Sequence, residues 1–183
     1  LAGAFLTRGF IGALPIALAV LCAFAPQSAL RSQLRWLVIS FALAVGIALL
    51  WWMPALHFGP YWVEHWWLWQ ADSLSLPRPS QLLDIFRDLP WFLWPTWPFA
   101  IMAVWQWRSW LTSPHIWFPL MFAVWPLLTL MFLADPFEPE YSLMAVPFAV
   151  LAAFALPTLR RQVAALIDWF TLLFFTGCGV VIW

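Results

Sequence analysis

Arg8 is the charged side chain in this sequence that points most directly to chemistry. Its neighbours are apolar, with Phe5 and Leu6 before it and Phe10 after it. A cation in an apolar segment is costly unless it is paired or reaches the membrane interface. Because a planar guanidinium binds phosphate through two hydrogen bonds, Arg8 could hold a lipid phosphate. The alternative is a side chain that simply extends to the interface.

Two further pairs of polar residues lie in one long connector, between positions 55 and 88. Glu64 and His65 could ligate a metal ion or position a substrate group, although two side chains are too few to define a metal site. Asp84 and Asp88 are four residues apart, so on a helix they share a face and could act as acid and base. The alternative for both pairs is a solvated polar surface.

The composition identifies the class of protein that carries these residues. The chain has 183 residues, of which 65% are hydrophobic and 9% are charged, and its formal net charge is zero. Soluble domains carry about 25% charged residues, and disordered chains are polar or highly charged. Without a basic excess, nucleic acid is not expected as a partner.

Long stretches without charge must position the polar residues. A helix that crosses a bilayer needs about 20 predominantly apolar residues. The sequence therefore predicts an all-α, polytopic transmembrane protein with about six spans, and the prolines of segment 94–98 predict a bend in the third. The predicted spans are 9–26, 36–54, 89–107, 116–133, 142–157 and 164–183.

Connectors with arginine and no acid alternate with acidic connectors, which predicts the orientation of the chain. The positive-inside rule assigns the arginine-bearing connectors to the cytoplasm. Residues 55–88 and 134–141 then lie outside, and Arg8 lies toward the outside too. The cytoplasmic arginines are Arg31, Arg35, Arg108, Arg160 and Arg161.

The external connector 55–88 is expected to contain two short interfacial helices. The first covers residues 60–70, where Trp62, Trp66 and Trp69 would share one face in the headgroup region. The second opens at Pro79-Ser80 and runs through Asp88, with Ser80 as its N-cap. Residues 1–183 as a whole are expected to form one transmembrane helical region, with 55–88 as its long external connector. Because the sequence starts at Leu1 and ends within an apolar run, we expect a piece of a longer protein.

Several of these residues belong to an ordered set of motifs. With this order and spacing, nearly the whole chain resembles the family 39 glycosyltransferases, which include aminoarabinose lipid A transferases and relatives of protein O-mannosyltransferases. The motifs are Thr7-Arg8-Gly9-Phe10 with Ala13-Leu14-Pro15, Leu50-Trp51-Trp52, Tyr61-Trp62-Val63-Glu64-His65, Leu89-Pro90-Trp91 and Glu140-Tyr141-Ser142-Leu143.

The resemblance implies a membrane glycosyltransferase with the GT-C architecture. It would move a sugar from a polyprenyl-phosphate donor to a lipid or protein acceptor, at the extracytoplasmic face of the bacterial inner membrane. Arg8 and Tyr141 match positions near the lipid phosphate, and Glu64 and His65 match a position that approaches the substrate or a divalent metal ion. The family's general base is an Asp that would precede Leu1, so no catalytic residue is expected in this fragment.

Two positions depart from the family pattern, and two other functions therefore remain open. Tryptophans follow His65 where a basic residue is common, and the acidic stretch 135–140 replaces a basic residue before Tyr141. The first alternative is a non-catalytic membrane scaffold or a transporter-type module. The second is another polyprenyl-using enzyme, such as an O-antigen ligase. Charges at the rim and apolar span centres favour interfacial chemistry over transport.

Overall fold

The computed structural model describes residues 1–26, 34–134, 138–159 and 161–183, and these residues are helical for most of their length. Within these ranges there is no β-strand, and one isolated bridge pairs Leu74 with Leu133. The helices are α1 (Ala2–Phe24), α2 (Leu34–Phe58), α3 (Pro60–Asp72), α4 (Pro79–Phe92), α5 (Thr96–Gln106), α6 (Pro114–Met131), α7 (Glu138–Ala155) and α8 (Arg161–Ile182).

Helices long and apolar enough to cross a membrane dominate the fold. A membrane favours helices because each one satisfies its own backbone hydrogen bonds. This architecture confirms the predicted all-α, polytopic membrane protein, and the number of such helices is close to the predicted six. Among the described residues there are five, namely Ala2–Phe24, Leu34–Phe58, Pro114–Met131, Glu140–Thr158 and Arg161–Ile182.

The predicted third span, 89–107, is divided between two helices. α4 ends at Phe92 and α5 begins at Thr96, directly after Pro95. Proline has no backbone N–H with which to continue a helix, so the predicted bend is a break. α5 has 11 residues, or about 16 Å at 1.5 Å per residue, which is short of the bilayer core. It packs along α7 instead.

Helix α1 is interrupted at Gly9, where φ is 63° and ψ is −142°. Residues 2–8 and 10–24 are therefore two helical segments, and the predicted span from residue 9 corresponds to the second. This backbone conformation is essentially restricted to glycine. A Cβ atom at Gly9 would also lie 2.6 Å from Cζ2 of Trp66 and 2.7 Å from Cδ of Gln70. The position therefore requires glycine for two independent reasons.

The core lies where α1, α5, α6 and α7 pack together. Small residues at these contacts let membrane helices approach closely. Five alanines in α1, α5 and α7 are at most 2% exposed, namely Ala19, Ala23, Ala100, Ala103 and Ala155. By contrast, α2 and α8 have no buried residue, so they flank this core.

Helices α3 and α4 are tied to the end of α6 that precedes α7. The backbone N–H of Ser75 donates to the carbonyl of Phe132 over 2.9 Å, next to the bridge between Leu74 and Leu133. The buried Gln81 of α4 donates from Nε2 to the carbonyl of Leu133. These bonds fix the connector between α3 and α4 to the protein.

The helices of the connector differ in detail from their predicted bounds. α3 covers the predicted helix 60–70 and continues to Asp72. α4 begins at Pro79 with Arg78 as its N-cap, so the predicted N-cap at Ser80 is wrong. Proline is favoured at the first helical position because its φ is already helical, and this places the start of α4 earlier.

The orientation of the chain in the membrane stays a prediction. Arg31 and Arg160, two of the arginines assigned to the cytoplasm, lie outside the described residues, as does Asp135 of the acidic connector. The described part does place the Arg8 end of α1 beside α3 and the start of α7, because Arg8 contacts both Trp69 and Glu140. Arg8 therefore lies at the same end of the helices as the connector 55–88.

Candidate functional site

Arg8 lies at a point where three helices meet. It is the last residue of the segment before the break in α1, and its Nη2 forms an ion pair with Oε1 of Glu140, near the start of α7. Its Cζ lies 5.4 Å from the ring centroid of Trp69, on α3. The Arg8 side chain is 39% exposed, whereas that of Glu140 is 9% exposed.

This arrangement both neutralises Arg8 and leaves part of it accessible. The carboxylate compensates the positive charge, and the indole face adds a cation–π attraction. A guanidinium carries five N–H donors, and one carboxylate engages at most one edge of it. Because more than a third of the Arg8 side chain is exposed, its remaining donors are available to an anion that approaches from outside the core.

A small cavity extends from the ion pair into the protein. Its volume is about 30 Å³, and Arg8 and Glu140 line it together with Gly12 of α1 and Thr129 of α6. A space of this size holds a water molecule when polar groups are present to bind it. The cavity is too small for a sugar or a phosphate group, so any such ligand must approach Arg8 from its exposed side.

Tyr141 follows Glu140 in the sequence but occupies a different environment. It is 5% exposed and belongs to a buried apolar cluster that includes Ile85 and Leu89 of α4. Its ring centroid lies 5.9 Å from that of Phe92. Tyr141 is therefore adjacent in sequence to Glu140, the partner of Arg8, but its ring packs in the core against α4.

Glu64 and His65 are exposed on α3, between one and two turns before Trp69. Nδ1 of His65 lies 2.9 Å from the carbonyl oxygen of Tyr61. Since a carbonyl only accepts hydrogen bonds, Nδ1 is the protonated nitrogen, and Nε2 is left as the acceptor of the neutral ring. Among the described residues, Glu64 has no hydrogen-bond or ion-pair partner.

The two residues alone do not make a metal site. Neighbouring side chains on a helix point about 100° apart, and a structural zinc site has four protein ligands while a catalytic one usually has three. Within the described ranges, no group of three or more His, Cys, Asp or Glu side chains could hold a metal ion. Glu64 and His65 therefore fit a polar contact with a ligand, and we assign no step to a metal.

The acidic pair on α4 is bridged by an arginine. Arg87 bonds to Asp88 from Nε over 2.7 Å and approaches Asp84 from Nη1 at 3.2 Å. The hydrogen bond from Arg87 lowers the pKa of Asp88 below its ordinary value, and it also raises the pKa of Arg87. Asp88 is thus ionised at neutral pH and unsuited to donate a proton. The geometry favours a solvated charged face.

The predicted tryptophan face of α3 is only partly a membrane surface. Trp62 is 73% exposed, as expected for a residue in the headgroup region. Trp66 instead packs into an aromatic cluster between α1, α2 and α3, where its ring centroid is 5.0 Å from that of Trp52 and 5.9 Å from that of Phe10. Trp69 covers Arg8. On one helix face, therefore, Trp62 is exposed, Trp66 packs against α1 and α2, and Trp69 contacts Arg8.

An apolar groove of about 440 Å³ runs between α1 and α2. Phe10 and Trp67 line it near the break in α1, and Ala17 and Phe41 line it farther along the helices. Its lining is almost entirely apolar, so it suits a hydrocarbon chain. Phe10, which lines the groove, follows Arg8 by two residues across the break in α1, and the Arg8 side chain itself lines the small cavity beside Glu140.

Comparison with known proteins finds no matching family model, no matching curated protein and no matching solved structure. The resemblance to the family 39 glycosyltransferases therefore rests on the motifs in the sequence.

Sequence reasoning missed the residues that contact Arg8. The sequence patterns do not predict Glu140, Trp69 or Gln70 as site residues, although Glu140 belongs to one of the motifs. A usable signal existed for Glu140, because a cation within apolar helices is normally paired and Glu140 is an acid at the corresponding end of a span. No comparable signal existed for Gln70, since its role depends on the break at Gly9.

Proposed function

We propose that this protein is a membrane glycosyltransferase that moves a sugar from a polyprenyl-phosphate donor to a lipid or protein acceptor at the extracytoplasmic face of the bacterial inner membrane. The observation that carries the proposal is the partly exposed Arg8, held by Trp69 and Glu140 at one end of the apolar helices. A membrane lipid carries its phosphate at the end of the bilayer-spanning helices, and this position suits a partly exposed guanidinium that can bind it.

The role of Arg8 follows from the chemistry of sugar transfer. When the bond between the sugar and the phosphate breaks, negative charge grows on the departing phosphate. A guanidinium that is already oriented stabilises this charge without reorganisation of solvent. The acceptor's proton must go to a general base, a role that this proposal assigns to none of the described residues. Arg8 is thus a phosphate-binding residue in this proposal. Tyr141 packs the start of α7, where Glu140 pairs with Arg8, against α4.

The lipid part of the donor fits the groove between α1 and α2. A polyprenyl chain is a long hydrocarbon, and the groove is lined almost entirely by apolar side chains. Phe10 lines the groove and follows Arg8 by two residues, so in this proposal a lipid in the groove directs its phosphate toward the Arg8 end of α1. Glu64 and the open Nε2 of His65 are exposed polar groups on the same helix as Trp69, and in this proposal they contact the sugar or the acceptor.

A second function is favoured by one specific observation. The charge of Arg8 is already compensated by Glu140, as in an ion pair that only joins two helices. In that case the protein would be a non-catalytic scaffold or a transporter-type module, and an anionic lipid would gain little from Arg8. Lipid-phosphate binding distinguishes the two functions.

The first experiment measures binding of undecaprenyl phosphate to the intact protein in nanodiscs, for the wild type and for Arg8→Ala. Hydrogen bonds to charged groups contribute about 1.5–3 kcal/mol, so we expect Arg8→Ala to weaken binding about tenfold or more. The matched control is Arg35→Ala. The Cζ atom of Arg35 also lies 5.4 Å from a tryptophan ring, that of Trp36, but Arg35 is at the start of α2, whereas α3 follows the other end of that helix.

The same preparation then tests group transfer. A polyprenyl-phosphate-linked sugar is supplied with lipid A or protein as acceptor, and release of free polyprenyl phosphate is followed. Turnover that depends on Arg8 supports the transferase. A folded wild type that neither binds undecaprenyl phosphate nor releases it from the donor would favour the scaffold.

A further inference from the structure

Gln70 of α3 forms hydrogen bonds to both sides of the break in α1. Its Oε1 accepts from the backbone N–H of Phe10 over 3.0 Å, and its Nε2 donates to the carbonyl of Arg8 over 3.2 Å. We infer that Gln70 is a positioning residue. It fixes the angle between the two segments of α1 at Gly9 and thereby fixes where Arg8 presents its guanidinium. The inference rests on the proposed function in that Arg8 is the phosphate ligand.

The amide of Gln70 matches what the break requires. A helix that is interrupted leaves a backbone donor and a backbone acceptor without their usual partners, and a buried group of this kind is costly. A glutamine supplies one acceptor and one donor from the same planar group. The orientation of the amide is determined, because the N–H of Phe10 can only donate and the carbonyl of Arg8 can only accept.

The break at Gly9, together with its two hydrogen bonds to Gln70, is called the joint below, and burial makes it specific. Gln70 is 5% exposed, so water does not readily replace its two hydrogen bonds. Gly9 allows the approach, since a Cβ atom there would lie 2.7 Å from Cδ and from Nε2 of Gln70. The break, the glycine and the glutamine therefore form one unit.

The joint acts on Arg8 through two routes. The bond to the Arg8 carbonyl restrains the backbone from which the side chain extends. The neighbouring residue on α3, Trp69, covers the guanidinium, so docking of Gln70 also places the aromatic surface. Without the joint, the segment 2–8 can rotate relative to the rest of α1, and Arg8 is no longer held at one location.

A distance measurement tests the joint without reference to function. Spin labels are placed at Gly3 and at Leu21, both exposed on α1, in the intact protein after Cys22 and Cys178 are replaced by alanine. A straight helix would separate these positions by about 27 Å. We expect Gln70→Met to broaden the distance distribution or shift it toward that value.

The matched control is Gln81→Met. Gln81 is also buried, at 8% exposure, and also donates from Nε2 to a backbone carbonyl, that of Leu133, but its bond does not involve α1. We expect it to leave the distance unchanged. If Gln70→Met does not fold, Gln70→Glu replaces it, since the carboxylate still accepts from Phe10 but cannot donate to Arg8.

A double-mutant cycle tests the connection to Arg8. We expect Gln70→Met to weaken undecaprenyl phosphate binding about fivefold in the wild-type background, and to have no further effect in Arg8→Ala, because coupled residues are not additive. An unchanged distance distribution, or equal losses in both backgrounds, would overturn the inference. If the wild type binds no lipid phosphate, the proposed function fails, and the distance measurement alone decides whether Gln70 holds the joint.

Discussion

The guanidinium of Arg8 is paired with the carboxylate of Glu140, although the two residues belong to the first and the seventh helix of the chain. The pair joins the broken end of α1 to the start of α7, and Trp69 covers it from α3. A cation that would be costly among apolar helices thereby becomes a link between three of them. It also becomes the candidate contact for a phosphate.

The first prediction concerns removal of the charge on Glu140. Glu140→Gln should lower the free energy of unfolding by about 1–3 kcal/mol, because Arg8 loses a charged partner. The loss should be smaller than that for a fully buried pair, since Arg8 is partly hydrated. Reversible unfolding in mixed micelles measures the change.

The control for this substitution is Glu64→Gln on α3, where the carboxylate is exposed. It should change the free energy of unfolding by less than about 0.5 kcal/mol.

The charge on Glu140 should also oppose an approaching phosphate, so Glu140→Gln should bind undecaprenyl phosphate at least as tightly as the wild type. Weaker binding in the folded variant would contradict this electrostatic opposition.

The second prediction concerns Gly9. Gly9→Ala should destabilise the protein by about 1–3 kcal/mol from backbone strain alone, and further because the new methyl group meets Trp66 and Gln70. Gly3→Ala is the matched control on the same helix, since a Cβ atom there meets nothing within 4 Å. Comparable unfolding free energies for the two variants would show that the break in α1 is not required.

The third prediction concerns the aromatic cluster between α1, α2 and α3. Trp66→Ala removes ring contacts with Phe10 and Trp52 and should cost about 2–4 kcal/mol, near the range for buried aromatic residues. Trp62→Ala on the same helix is the control, because Trp62 is 73% exposed. Thermal unfolding midpoints compare the two variants. A larger loss for Trp62 would place the packing face of α3 on the other side.

The fourth prediction concerns pH. Arg87 holds the pKa of Asp88 below its ordinary value through a hydrogen bond, so the contact stabilises the folded state at pH values above the ordinary pKa of an aspartate, about 3.9. That contribution is lost as the pH falls through the lowered pKa. Arg87→Ala should raise the pKa of Asp88 toward its ordinary value in a carboxyl NMR titration.

The control for the titration is Arg78→Ala, at the N-cap of the same helix, which should leave the pKa of Asp88 in place. Because the Arg87 and Asp88 side chains are largely exposed, the effect of either arginine on unfolding should be small. A pKa of Asp88 that does not respond to Arg87→Ala would contradict the observed hydrogen bond.

Much of the architecture could be predicted because it is local in the sequence. The apolar runs gave the long helices, and segment 60–70 gave α3. The prolines near Pro95 marked the place where the third span divides. The N-cap of α4 is Arg78, two residues before the predicted Ser80, because Pro79 favours the first helical position and its fixed φ sets the start of the helix there.

The sequence by itself determined the class of the protein and the chemical nature of its unusual cation. Apolar stretches of bilayer length have to be helical, since only internal hydrogen bonds satisfy their backbones in lipid. The tertiary structure alone decided that Glu140 pairs with Arg8 and that Gln70 bridges the break at Gly9. These contacts join residues that are distant along the chain, so they arise from the packing of α1 against α3 and α7, which no local pattern encodes.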